Sequence, residues 1–204
     1  MMARAEPPRL LQVVREPINA GADAAYEEIE NEIATACVVL KCPHPHLALE
    51  TLTSPREIWW LNFFATEEQR LQVTRAYESN RPLMDVLIRN SERKSHCTGP
   101  VVDQLWRYRP DLGGTAFADL LGARYAVVSF GEGAIDARGP VFENADGLYF
   151  AVQFFRTLAD ARQHARRGAT LLGFHPSWGL PAQDWIDADR EFWSVNPAVL
   201  ERAD

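Results

Sequence analysis

The chain has 204 residues, 47% of them hydrophobic and 24% charged, a globular composition that suits one large domain or two small ones. Its formal net charge is -7 and its basic residues are scattered, with Arg93-Lys94 and Arg166-Arg167 only as pairs, so no nucleic-acid partner is expected. No apolar run approaches the ~20 residues that span a bilayer, so no membrane partner is expected either.

The opening stretch, Met1-Met2-Ala3-Arg4-Ala5-Glu6-Pro7-Pro8, has no apolar segment of the kind a secretory signal carries. Three cysteines, Cys37, Cys42 and Cys97, cannot all pair within one chain. Free thiols and a cytoplasmic location are the expectation.

Arg9 to Arg15 carries Leu10, Leu11, Val13 and Val14 and reads as a first strand. From Ala22 the period changes: Tyr26, Ile29, Ile33, Cys37 and Leu40 recur at helical spacing, and Glu27, Glu28, Glu30 and Glu32 are assigned to the opposite, solvated side. Cys42-Pro43-His44-Pro45 ends this helix, because proline supplies no N–H and pushes its predecessor out of the helical region. Leu47 to Leu52 reads as a strand and Thr53-Ser54-Pro55-Arg56 as a tight turn. Glu57 to Phe64, Glu-Ile-Trp-Trp-Leu-Asn-Phe-Phe, is the strongest strand of the chain, and its two apolar faces imply cover on both sides. Thr66-Glu67-Glu68-Gln69 fits a capping box at the start of the next helix, and Pro82 suits the first turn of another that runs to about Arg93. Val101 to Arg109 alternates as a strand and completes a β-α-β-β-α-β order.

Pro110 to Gly114 reads as a linker. Beyond it, Thr115 to Leu121 is read as a short helix, Tyr125 to Phe130 as a strand and Gly131 to Gly147 as mostly loop. Leu148 to Phe155 is a strand, Thr157 to Arg167 a helix with Thr157 as its cap and Gly168 as its stop, Ala169 to Phe174 a strand, and Asp184 to Phe192 a last helix. Two joints match without a gap: Leu61-Asn62-Phe63-Phe64-Ala65-Thr66 and Val152-Gln153-Phe154-Phe155-Arg156-Thr157. Each is an apolar residue, a primary amide, two phenylalanines and a threonine cap at a strand-to-helix junction. This implies an internal duplication, with residues 1–110 as one ferredoxin-like unit and residues 115–204 as a second, divergent one altered in its first helix.

The β-α-β-β-α-β order and the aromatic strand leading into Thr66-Glu67-Glu68 resemble the dimeric α/β-barrel superfamily that includes antibiotic-biosynthesis-monooxygenase-like proteins. The resemblance implies an α+β fold in which two ferredoxin-like units, tandem in one chain, set their sheets face to face as a pseudo-dimeric α/β barrel around a cavity. It implies no particular reaction. The superfamily spans cofactor-free oxygenases, haem proteins and members without known activity.

Alternation along the two matched strands places Asn62 with Ile58, Trp60 and Phe64, and Gln153 with Tyr149, Ala151 and Phe155. If those faces meet across the barrel, Trp60, Asn62, Phe64, Tyr149, Gln153 and Phe155 line an aromatic pocket with a few polar groups, the make-up of a small-molecule site. Trp178 is added to that pocket, and His175, at a strand end in His175-Pro176-Ser177-Trp178-Gly179, is the candidate catalytic group. The bland alternative is that the amides only fix packing and that Trp178 plugs a core edge. Cys42, His44 and His46, with Cys37, have donor types that suit zinc, but C-x4-C-x-H-x-H is not a finger spacing, and no metal and no cofactor are expected. P-loop, dinucleotide and nucleophile-elbow motifs are absent. Two functions stay open: a protein that binds a small hydrophobic ligand, with a cofactor-independent oxygenase as one activity found in the superfamily it resembles, or a non-catalytic domain whose sheet face serves as an oligomer interface, such as that of a homodimer.

Overall fold

The computed structural model describes residues 8–114, 117–132, 138–197 and 199. Its strands are β1 (Leu10–Pro17), β2 (Leu47–Thr51), β3 (Glu57–Phe64), β4 (Val102–Tyr108), β5 (Tyr125–Gly131), β6 (Val141–Glu143), β7 (Tyr149–Phe155) and β8 (Thr170–Phe174). Its helices are α1 (Asp23–Val39), α2 (Glu67–Ser79), α3 (Arg81–Lys94), α4 (Leu158–His164), α5 (Gln183–Ala188) and α6 (Arg190–Trp193), with a 3-10 turn at Phe117–Leu120.

The strands close into a barrel in the order β1-β3-β2-β8-β5-β7-β6-β4, every neighbouring pair antiparallel. Each half of the chain contributes the same neighbour order, β4-β1-β3-β2 from the first and β8-β5-β7-β6 from the second. The seams are β2 against β8 and β4 against β6. The α+β barrel expected from the sequence is therefore the observed architecture. In the second half, no helix stands between β5 and β6 among the described residues.

Several local expectations change. The stretch read as loop from Gly131 contains β6, whose three residues are too few to display an alternation. The last helix is two short ones, broken at Asp189, which leaves helical geometry at φ -150° and accepts two hydrogen bonds from Arg124 at 2.7 and 3.0 Å. The 157–167 helix stops at His164, and Gly168 forms a separate turn at φ +87°. The two caps are as read. Gln69 N–H donates to Thr66 Oγ1 at 3.1 Å while the Gln69 side chain accepts from the Ala65 N–H, and Asp160 N–H donates to Thr157 Oγ1 at 3.1 Å.

Pairing register decides which face looks inward. Leu11 lies opposite Phe63 and Trp106, Val13 opposite Leu61, and Leu49 opposite Trp59 and Phe174. These odd-numbered residues of β1 and β3 fill the barrel together with Phe142, Phe150, Val152 and Leu172. Trp106 and Phe150 meet at 5.4 Å between ring centroids, and Trp59 tilts against Phe150 at 6.5 Å. One end is covered by Arg15, whose guanidinium stacks 4.6 Å above the Trp59 ring and pairs with Glu57 at 2.9 Å. The interior is thus a packed core of large rings.

The even-numbered residues of β3, Ile58, Trp60, Asn62 and Phe64, point outward, beneath the helices of the first half. A second buried cluster, Tyr26, Ile29, Ala48, Ile58, Cys97 and Trp178, packs there. This is why β3 is apolar on both faces: one belongs to the barrel core and the other to the helix layer.

Candidate functional site

One cavity lies outside the barrel, between the outer face of β1 and β3 and the helices that cover it. Its volume is about 270 Å³. Val14, Glu16, Trp60 and Asn62 line it from the sheet, where Val14 pairs with Trp60 across the strands. Glu30, Ile33 and Cys37 come from α1, Tyr77 from α2, and Leu87, Ser91 and Lys94 from α3, with His46 from the segment entering β2. Steps of three and four residues along α1 and α3 put each set on one face of its helix.

The charged end of this cavity is a buried cluster. Lys94 Nζ lies 2.7 and 2.9 Å from the two Glu16 oxygens and 2.7 Å from Glu30 Oε1. Tyr26 donates a short hydrogen bond to Glu16, and the Trp60 indole N–H donates to the same Glu16 oxygen at 3.1 Å. Glu16, Glu30 and Lys94 are 9%, 1% and 15% exposed in their side chains, so solvent screens them little. Two carboxyl groups face one ammonium. The cluster either carries a net negative charge or holds an extra proton.

Burial pushes the Glu30 carboxyl above its ordinary range, and the nearby Lys94 offsets this only in part. Burial alone would lower Lys94, but Glu30 and Glu16 outweigh it and hold the ammonium protonated. Burial and the same two carboxylates push the Tyr26 phenol upward. Glu30 is thus a carboxyl group made readier to take a proton, beside a fixed cation and on the wall of a cavity.

The sequence reading missed Glu16, Glu30 and Lys94. Glu30 had been assigned to the solvated side of α1, and the structure corrects this: Tyr26, Glu30, Ala34 and Cys37 share the buried stripe. The spacing carried the signal and the residue type masked it, because an unpaired glutamate is rarely buried. Its partner, Lys94, is distant in sequence.

The predicted pocket residues separate. Trp60 and Asn62 line the cavity just described. Phe64 is not part of its lining and instead stacks on His44 at 4.4 Å. Gln153 and Phe155 line a different cavity, of about 180 Å³, with Asp119, Arg138, Gly139, Pro140, Phe154 and His164. Tyr149 is half-buried on the outer face of β7. Asn62 and Gln153 do occupy matching outward positions, but they do not face each other, because the faces that meet across the barrel are the opposite ones. Alternation told which residues share a face and could not tell which face is inner.

His175 and Trp178 lie outside both cavities. Their rings stack at 3.6 Å, and the Trp178 indole donates to Asn31 Oδ1 at 2.9 Å, docking this loop of the second half on α1 of the first. His175 Nδ1 is buried without a hydrogen-bond partner among the described residues, and burial lowers the proton affinity of its ring. His44 is likewise buried, and burial, with His46 next in effect, holds its imidazole down to about 4. His46 meets the edge of Trp60 at 5.7 Å. Cys42 Sγ is 2.8 Å from the Tyr77 hydroxyl. Among the described residues no group of three or more His, Cys, Asp or Glu side chains is arranged to hold a metal ion, and none of the helices there is long and apolar enough to cross a membrane.

No protein-family model matches the sequence, and no curated protein sequence matches it. Among solved structures the chain is similar to a candidate monooxygenase from Fusobacterium nucleatum subsp. nucleatum, at a TM-score of 0.49 and 6% identity over 83% of this chain and 94% of that one. It is similar to a candidate chlorite dismutase at a TM-score of 0.43 and 10% identity, covering 90% and 99% of the two chains. It is also similar to a variant chlorite dismutase from Candidatus Nitrospira defluvii in complex with cyanide, at 0.41 and 12% identity over 94% and 96%.

Proposed function

We propose that this chain binds a small, largely apolar molecule carrying an acidic hydroxyl, such as a bicyclic phenol, in the cavity under α1 and α3, and that it acts on that molecule as a cofactor-independent oxygenase. The observation that carries this reading is the Glu16–Lys94–Glu30 cluster on the wall of a cavity of about 270 Å³ whose remaining lining is mostly apolar, with one sheet amide. A cavity of ~150 Å³ takes one benzene ring, so two fused rings suit this one. Glu30 takes the proton of the ligand hydroxyl. Lys94 stays charged and holds the resulting oxyanion, and Asn62 orients the ring system. An electron-rich anion of this kind is the form of an organic substrate that reacts with dioxygen directly.

The test uses 2-naphthol, followed by quenching of tryptophan fluorescence and by oxygen uptake. Wild type is expected to bind saturably, and Asn62→Leu to bind at least about tenfold more weakly, a loss of ~1.4 kcal/mol, with its thermal midpoint nearly unchanged. Gln153→Leu, which alters the other cavity, is expected to bind as wild type does. Glu30→Gln is expected to abolish oxygen uptake. Absence of binding, with Asn62→Leu merely unstable, overturns the site. Binding without oxygen uptake for any bound phenol overturns the oxygenase step alone. The rival reading, a sheet face used as an oligomer interface, is weakened because the inner faces of both sheets already cover each other within one chain.

A further inference from the structure

The end of α1 has a construction that the cavity reading does not use. Lys41 N–H donates to Val38 O at 3.2 Å and Cys42 N–H donates to Cys37 O at 2.7 Å. Lys41 sits at φ 56°, in the left-handed region. These are the five-to-two and six-to-one bonds of a Schellman motif, in which the side chain three from the helix end packs against that of the second residue beyond the cap. Here those two positions are Cys37 and Cys42. The backbone motif therefore sets the Cys37 thiol beside the Cys42 sulfur. The Tyr77 hydroxyl lies 2.8 Å from that sulfur. Cys37 is buried and lines the cavity, while Cys42 is half-buried. Cys97, the remaining cysteine, packs in the other helix-layer cluster with its sulfur near Arg93 O.

We propose that Cys37 and Cys42 form a redox pair that a hydroperoxide converts to a disulfide. Cys42 is the attacking sulfur. The neighbouring Cys37 thiol, then His46 and Tyr77, favour its thiolate over its thiol against the cost of burial, whereas Cys37, beside that thiolate and buried, keeps its proton. The Cys42 thiolate attacks one peroxide oxygen and the O–O bond breaks. The alkoxide leaves, takes up a proton and becomes the alcohol, and Cys42 becomes a sulfenic acid. The Cys37 sulfur then attacks the Cys42 sulfur. The S–S bond forms, the S–O bond breaks, and hydroxide leaves with the Cys37 proton as water. Two thiols lose two electrons in total, and one hydroperoxide is reduced to one alcohol and one water. An external dithiol reverses the change. This chemistry does not depend on what the cavity binds.

The experiment treats the full chain with cumene hydroperoxide, then alkylates it in denaturant and maps its peptides by mass spectrometry. Wild type is expected to lose the mass of two hydrogens and to keep one alkylatable thiol, at Cys97, with dithiothreitol restoring all three. Cys37→Ser is expected to accumulate a dimedone-reactive sulfenic acid at Cys42, and Cys42→Ser to leave Cys37 unmodified. Tyr77→Phe is expected to move the pH profile of Cys42 alkylation upward and to slow peroxide oxidation about tenfold, as loss of a hydrogen bond to a thiolate requires. Three alkylatable thiols after treatment, a disulfide linking two chains, or one involving Cys97 overturns the proposal. The wild-type peptide map decides the matter even if a cysteine variant does not fold.

Discussion

Replacing Lys94 by methionine would leave Glu16 and Glu30 sharing a buried site with no cation between them. The expected loss is about 3–5 kcal/mol at neutral pH, read from urea unfolding, because an uncompensated buried charge costs more than the lost pair itself. The same variant should recover part of that loss in mild acid, where Glu30, already pushed upward by burial, takes up a proton. Glu30 has its own pH signature. Its folded value stands above the unfolded value of 4.5, so the folded chain holds a proton that the unfolded chain releases. That contribution is complete below 4.5 and declines as pH rises toward the folded value. Wild type should therefore lose stability relative to Glu30→Gln as pH rises above 4.5 toward the raised folded value, by up to ~1.4 kcal/mol per pH unit inside that window. A constant difference between the two proteins across that range would show that Glu30 does not hold the proton. Lys94 does not contribute to this slope, since its shift is upward from 10.5 and lies above the window.

Single helices carry two jobs here. The buried stripe of α1 supplies Tyr26 and Ile29 to the packing of the helix layer and Glu30, Ile33 and Cys37 to the cavity wall. Its C-terminal turn brings Cys42 back against Cys37 through the left-handed Lys41. That residue bears a steric cost a glycine would not. Lys41→Gly should gain about 0.5–1 kcal/mol in urea unfolding while leaving the Cys37–Cys42 chemistry intact. At the start of α2 the capping box binds two orphan N–H groups at once, so Thr66→Ala should cost about 1 kcal/mol and Thr66→Ser much less. Equal losses for the two variants would place the effect in packing of the threonine methyl. Both caps were legible because capping is local: a hydroxyl and an amide three residues apart suffice. β6 was not legible, since a three-residue strand is held by β4 and β7 and has no periodicity of its own.

At the scale of the whole molecule, closure of the barrel makes the two halves interdependent. Trp106 from the first half and Phe142 and Phe150 from the second occupy one core, and two strand seams join the halves. The chain should therefore unfold in one transition, with tryptophan fluorescence and far-ultraviolet circular dichroism changing together. Trp106→Ala should lower stability by about 3–5 kcal/mol without splitting that transition. Two separated transitions would mean that each half keeps a core of its own.

The sequence by itself determined the α+β class, the order of elements along the first half, the threonine caps, the pairing of Asn62 with Gln153 as matched positions, and the exclusion of known nucleotide loops. Each follows from periodicity or from contacts within a few residues. Only the tertiary structure decided that Trp59 and Leu61 face the barrel while Trp60 and Asn62 face the helices. A strand that is apolar on both sides looks the same from either face. Tertiary structure alone likewise joined Glu16, Glu30 and Lys94, since a buried ion pair is a relation between distant segments. The polar group most useful to a cavity is the one that, read singly, looks as though it belongs in water.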